Sequence, residues 1–160
     1  MKRLIFVITL AAMIALVIPG RQASAQNADP LNGTWHLNLD KSKFRSGPVP
    51  KSQTRTYEVS ADSVKQSIDG VDSQGKPVRS RFTAKYDGKD YPVTGNPDAD
   101  TIAVTRTGPY SGRSTLKKDG KVVQQTIRTV SKDGKTLTLA NRGTNSKGAK
   151  IDQDLVFDKQ

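Results

Sequence analysis

Arg79-Ser80-Arg81-Phe82-Thr83-Ala84-Lys85-Tyr86-Asp87-Gly88-Lys89-Asp90-Tyr91-Pro92-Val93 reads as two alternating runs joined by Asp87-Gly88. Asp-Gly supplies the positive backbone dihedrals that tight hairpins need. A two-residue loop sets Lys85 opposite Asp90, Ala84 opposite Tyr91 and Phe82 opposite Val93. One face then carries Phe82, Ala84, Tyr91 and Val93, and the other Arg81, Thr83, Lys85, Asp90 and Pro92. Apolar pairs with apolar and opposite charges pair on the wet face, as cross-strand energetics favour. This segment is a β-hairpin.

The same grammar extends in both directions. From Asn27 onward no i, i+3, i+4, i+7 apolar pattern is sustained, and short alternating runs are separated by polar pairs containing glycine. The candidate strands are 34–39, 54–59, 63–69, 77–86, 90–94, 101–107, 112–118, 121–131, 135–141 and 151–158. Val64 and Ile68 are spaced for a helical turn after Ser60, but the bounding Asp69-Gly70 favours a strand. Fourteen of the fifteen acids are Asp, which suits turns, and Glu58 alone is Glu.

At Asp133-Gly134 two registers compete. A two-residue loop puts Leu137 opposite Val130 but Leu139 opposite Arg128. A three-residue loop, Lys132-Asp133-Gly134, pairs Thr129 with Leu137 and Ile127 with Leu139, and is preferred because it keeps an apolar pair together. In the last strand Ile151, Gln153, Leu155 and Phe157 share one face.

A meander of about eight to ten strands leaves two exposed edges unless the last strand pairs with the first, which closes a barrel. The expected class is therefore all-β, an antiparallel up-and-down barrel. Its predicted inner face mixes Phe82, Tyr91, Leu139 and Phe157 with Ser80, Ser114, Gln125, Thr129 and Gln153. Buried polar groups need partners, so such a face suits a partly hydrated cavity better than a packed sandwich.

Composition removes several chemistries. Cysteine is absent and His36 is the single histidine, which excludes disulfides, thiol catalysis, iron–sulfur ligation and His-rich metal sites. His36 follows Trp35 along a strand, so it points to the opposite face and lacks positioned partners for general-base work. Asn96-Pro97-Asp98-Ala99-Asp100 resembles half a calcium loop, but Thr101 replaces the required Gly and Thr107 the bidentate Glu, so it reads as a polar turn. Neither G-x-G-x-x-G nor a P-loop occurs. No metal, cofactor or catalytic residue is expected.

The chain begins Met1-Lys2-Arg3, runs apolar from Leu4 to Ile18 with Thr9 interrupting, breaks at Pro19-Gly20 and reaches Ala23-Ser24-Ala25. A charged start, a short apolar core and a small-x-small site are the parts of a secretory signal peptide. Fifteen residues of helix span about 22 Å, short of a ~30 Å bilayer core. Residues 1–25 are expected to be a removed signal and 26–160 a single exported domain, periplasmic or secreted, without a transmembrane segment after cleavage. Removal leaves 23 basic against 15 acidic residues, a net charge of +8.

Leu31-Asn32-Gly33-Thr34-Trp35-His36-Leu37 resembles the G-x-W strand that opens lipocalin and calycin barrels. That resemblance implies a Trp closing the narrow end of the barrel with a basic side chain across its ring, for which Arg128 and Arg142 are the candidates. Asn38-Leu39-Asp40-Lys41-Ser42-Lys43-Phe44 and Tyr86–Val93 also resemble a group of small exported bacterial proteins of unsettled activity. Two features depart from a typical lipocalin: there are no disulfide cysteines and no clear C-terminal helix.

These readings converge on a monomeric, non-catalytic barrel that binds a small, partly apolar ligand. Trp35, Tyr57, Phe82, Tyr91, Leu139 and Phe157 would form the wall, with Gln125 or Gln153 orienting a polar group. The loop from Lys43 to Lys51, stiffened by Pro48 and Pro50, would lie across one mouth. The alternative is a filled barrel acting as an interaction module. Outward Arg79, Arg81 and Lys85 and turn lysines such as Lys89, Lys121 and Lys132 would then touch another protein or an anionic envelope polymer. Nucleic acid is not expected, since the basic positions lack interleaved aromatics.

Overall fold

A computed structural model describes residues 29–160, so the leader read over residues 1–25 lies outside the described residues. Ten strands follow one another: β1 Gly33–Ser46, β2 Ser52–Val59, β3 Ser63–Val71, β4 Pro77–Lys85, β5 Asp87–Thr94, β6 Thr101–Gly108, β7 Ser111–Lys118, β8 Lys121–Val130, β9 Thr136–Thr144 and β10 Lys150–Lys159. Each pairs antiparallel with its sequence neighbour, and β10 pairs with β1 to close an up-and-down barrel. All ten expected strands are present, the 63–69 segment among them as β3, and closure gives every strand a neighbour on both sides.

β1 runs beyond its expected end at Leu39. A bulge between Asn38 and Lys43 lets the chain loop out and rejoin β10 at Asp154 and Gln153. Ser42 holds that excursion, its hydroxyl donating to Asn38 O at 2.6 Å and accepting the Val156 N–H at 2.9 Å. Asp119 is the one non-glycine residue with positive φ (49°) among the described residues, and with Gly120 at 73° it makes the tight hairpin between β7 and β8.

The Arg79–Val93 hairpin keeps its register at Phe82–Val93 and Arg81–Thr94, but the ladder stops there. Near the turn the expected Ala84–Tyr91 and Lys85–Asp90 pairs do not form. Asp87 accepts the Lys89 N–H at 3.0 Å and the Tyr91 hydroxyl at 2.9 Å, and β5 carries a bulge between Asp87 and Asp90 that settles its tip on β6. Asp90 meets Lys117 at 2.8 Å instead of Lys85.

A second correction concerns β8. Val130 lies opposite Leu137 and Arg128 opposite Leu139, the register that apolar matching disfavours. Val130 and Thr126 are therefore buried, while Gln125, Ile127 and Thr129 face outward. The loop is longer than either expectation: Ser131 N–H bonds Thr136 O at 2.8 Å, and Gly134 N–H turns back onto Ser131 O at 2.9 Å. Apolar matching failed because β8 carries an arginine on its inner face.

The hairpin loops after β1, β3, β5, β7 and β9 gather at one end of the barrel, and those after β2, β4, β6 and β8 at the other. The second end is sealed. Trp35 and Phe157 are fully buried there with Leu137, Leu139, Val64, Tyr57, Val104 and Val130. Leu31 covers them, its carbonyl accepting the Trp35 Nε1–H at 2.9 Å. The base across the Trp35 ring is neither arginine expected from the resemblance: Lys159 Nζ lies 5.0 Å from the ring centroid. Arg142 is on the outer surface, bonded to Asp154, and Arg128 lies inside beside Tyr86.

Candidate functional site

Alternation along each strand sends every second side chain into the barrel. In the sealed half those side chains are large and mostly apolar, with Arg55 and Arg128 among them. Toward the other end they become smaller and polar: Ser80, Gln66, Gln53, Gln124, Thr126, Asn141 and Gln153. The change opens a cavity of about 510 Å³ at the mouth, bounded by Ile68, Val78, Leu116, Ile151 and Leu155 on its apolar side. Pro48 and Pro50 stand at its rim, as the loop reading anticipated, and Gln153 Nε2 donates to Pro48 O at 2.9 Å to hold that loop.

The polar lining is nearly all neutral; Asp72, Asp98 and Lys147 lie at the loops. Its hydrogen bonds form a short chain: Gln124 Nε2 donates to Thr126 Oγ1 at 3.1 Å, and Thr126 Oγ1 donates to Asn141 Oδ1 at 2.8 Å. Across the barrel Gln66 Nε2 donates to the Tyr57 hydroxyl at 2.6 Å. Each of these amides uses one polar atom, and the other has no protein partner among the described residues. An amide offers both donors and an acceptor, so these positions can pair with hydroxyl, carbonyl or amide groups of a guest.

Below the mouth a smaller chamber of about 60 Å³ shares Ile68, Ser80, Asn96, Leu116 and Gln124 with the upper cavity. Its lining includes Arg55, Tyr57, Phe82, Leu139 and Arg128.

The expected site residues divide accordingly. Gln153 lines the mouth, and Tyr57, Phe82 and Leu139 line the inner chamber. Trp35 and Phe157 lie deeper, in the sealed packing, and line neither chamber. Tyr91 is half-buried and spends its hydroxyl on Asp87. Gln125 is corrected: it is exposed on the outer wall, one residue out of phase with the inward Gln124 and Thr126. Sequence reasoning missed Gln124, Thr126, Asn141, Arg55 and Arg128. The signal for three of them was the disfavoured Val130–Leu137 register, which carries Gln124, Thr126 and Arg128 inward together.

His36 is exposed, and its ring nitrogens meet Thr54 Oγ1 and Gln160 Oε1 at 3.1 Å each. Asn96–Asp100 forms a self-bonded turn in which Asp98 N–H bonds Asn96 Oδ1 at 2.9 Å. No group of three metal-ligating side chains occurs among the described residues. No helix among them is long and apolar enough to cross a membrane.

No family model and no curated protein matches this chain. Among solved structures it is similar to a redesigned β-barrel, at 16% identity and a TM-score of 0.46, over 82% of this chain and 92% of that one. It is also similar to the redesigned barrel mFAP1 bound to DFHBI, at 16% identity and a TM-score of 0.40 over 81% and 95%. A third likeness is to a de novo designed fluorescence-activating β-barrel, at 15% identity and a TM-score of 0.41 over 81% and 93%.

Proposed function

We propose that this chain is an exported, non-catalytic carrier that holds one small, partly apolar ligand in the open half of its barrel. The observation that supports it is the cavity of about 510 Å³, with aliphatic walls and a few neutral amides whose spare polar atoms face no protein partner. Ligand pockets usually have about this volume and composition. Export rests on the Met1–Ala25 pattern. The protein acts as a monomer, since closure of the ring spends its strand edges internally.

Native mass spectrometry of protein purified from its own host tests the reading. A bound small molecule released on denaturation, together with uptake of a hydrophobic fluorescent dye that Ser80→Phe blocks, is the expected result. Ser80 borders both chambers, so a bulky residue there fills the passage between them. No bound molecule and no dye uptake overturns the carrier.

The second reading, an interaction module for an anionic polymer, draws on Arg81, Lys85, Lys89, Lys121, Lys132 and Lys135. All are exposed and none has an ion-pair partner among the described residues. Salt-sensitive retention on an anionic polysaccharide column, with an empty barrel, would favour it.

A further inference from the structure

Two guanidinium groups lie inside the barrel. Arg55, on β2, projects inward with Tyr57; its Cζ lies 5.3 Å from the centroid of the fully buried Phe157 ring, and its Nε donates to Gln53 Oε1 at 2.8 Å. Arg128, on β8, projects inward with Thr126 and Val130 and lies against the buried Gly112 of β7. A Cβ at position 112 would sit 2.5 Å from Arg128 Nη2 and 3.0 Å from Thr105 O. Glycine is thus what makes room for the second cation. Neither arginine belongs to an ion pair among the described residues, although nine such pairs occur elsewhere.

A cation taken out of bulk water without a counter-charge is unfavourable. The same chamber lining carries both of these together with Arg113, which is exposed, and carries no carboxylate among its residues. Gln66 already donates to the Tyr57 oxygen, which leaves the Tyr57 hydroxyl proton for an acceptor. Two inward cations and one hydroxyl donor around about 60 Å³ describe a receptor for a small anion. That volume suits a group of a few heavy atoms, since a single water needs roughly 10–15 Å³ by the same measure.

We propose that the inner chamber binds the carboxylate of an amphipathic organic acid. Arg55 and Arg128 hold the charge, Tyr57 donates a hydrogen bond, and the acid's apolar body fills the upper cavity. This rests on the carrier reading and names its ligand class. The chambers share a wall at Ile68, Ser80 and Leu116, so one molecule can extend through both.

The test compares decanoate with decanol, equal in chain length and different in charge, by calorimetric titration of the folded protein. Decanoate is expected to bind at least about tenfold tighter, and Arg55→Gln and Arg128→Gln each to remove about that factor while leaving decanol unchanged. Gly112→Ala keeps both charges but displaces Arg128, and is expected to weaken decanoate alone. Where a variant fails to fold, wild-type protein with carboxyl-labelled decanoate gives the answer by NMR: the bound carboxyl stays ionised at a lower pH than the free acid. Equal binding of the two probes, or an unshifted bound carboxyl, overturns the anion site and leaves the carrier standing. Binding of neither probe, with no dye uptake, overturns the carrier and the anion site together.

Discussion

The Lys159 ammonium lies 5.0 Å from the centroid of the Trp35 ring, so the last residue of β10 caps the aromatic near the start of β1 across the seam that closes the barrel. Trp35 is fully buried, and its indole N–H is taken up by Leu31 O at 2.9 Å. It lines neither chamber. Trp35→Ala is therefore expected to cost about 3–5 kcal/mol of folding stability by denaturant titration, and Lys159→Met less than about 1 kcal/mol. A stable Trp35→Ala variant that had lost only ligand uptake would return Trp35 to the site.

The β8 register is tested from outside the barrel. Ile127 is 53% exposed opposite Ala140, whereas Leu139 is buried opposite Arg128. Ile127→Thr should shift stability by no more than about 0.5 kcal/mol, and Leu139→Ala should cost about 2–5 kcal/mol. Comparable losses in urea unfolding would restore the register pairing Ile127 with Leu139.

Two glycines with nearly the same dihedral separate backbone strain from steric contact. Gly120 has φ +73°, and a Cβ there would meet nothing within 4 Å, whereas Gly95 has φ +74° and a Cβ there would lie 2.0 Å from Arg79 O. Gly120→Ala is expected to cost about 1 kcal/mol from the dihedral alone. Gly95→Ala should cost at least about 2 kcal/mol, because β4 must also move. Thermal unfolding of the two variants reads the difference, and equal shifts would show that the contact relaxes freely.

Acid should loosen the β1–β10 seam. Hydrogen bonds from Arg45 and then Arg142 hold the Asp154 carboxyl below the usual carboxylate range, and Asn38 followed by Lys41 does the same for Asp158. Both groups thus bind protons more weakly folded than unfolded. Their stabilisation is complete above the unfolded value of about 3.9 and is lost as pH falls below it through the folded values. Tm should hold between about pH 5 and 8 in this respect, drop below about pH 4, and drop less steeply in Asp154→Asn. Added salt should shrink the effect, because these pairs face solvent. An unchanged slope in Asp154→Asn would remove this carboxyl from the explanation.

Strand number, strand order and closure were legible because they rest on local alternation, on glycine pairs and on the cost of a free sheet edge. The last strand shows this well: Ile151, Gln153, Leu155 and Phe157 face inward as their spacing implied. The open half was legible only in part. Gln153 and Ser80 were placed inside, but Gln125 was chosen where Gln124 and Thr126 belong, since an apolar-matching rule cannot select a face that carries Arg128.

The order of residues alone determined an antiparallel ring of about eight to ten strands, with Trp35 at its start and Phe157 at its end, because those features need only near neighbours and pairing energetics. Tertiary structure decided which way β8 faces and where the interior stops being filled. Arg128 points inward where Gly112 on the adjoining strand yields space, and Arg55 does so over the Phe157 ring. Both placements join residues remote along the chain, so no short window of sequence expresses them.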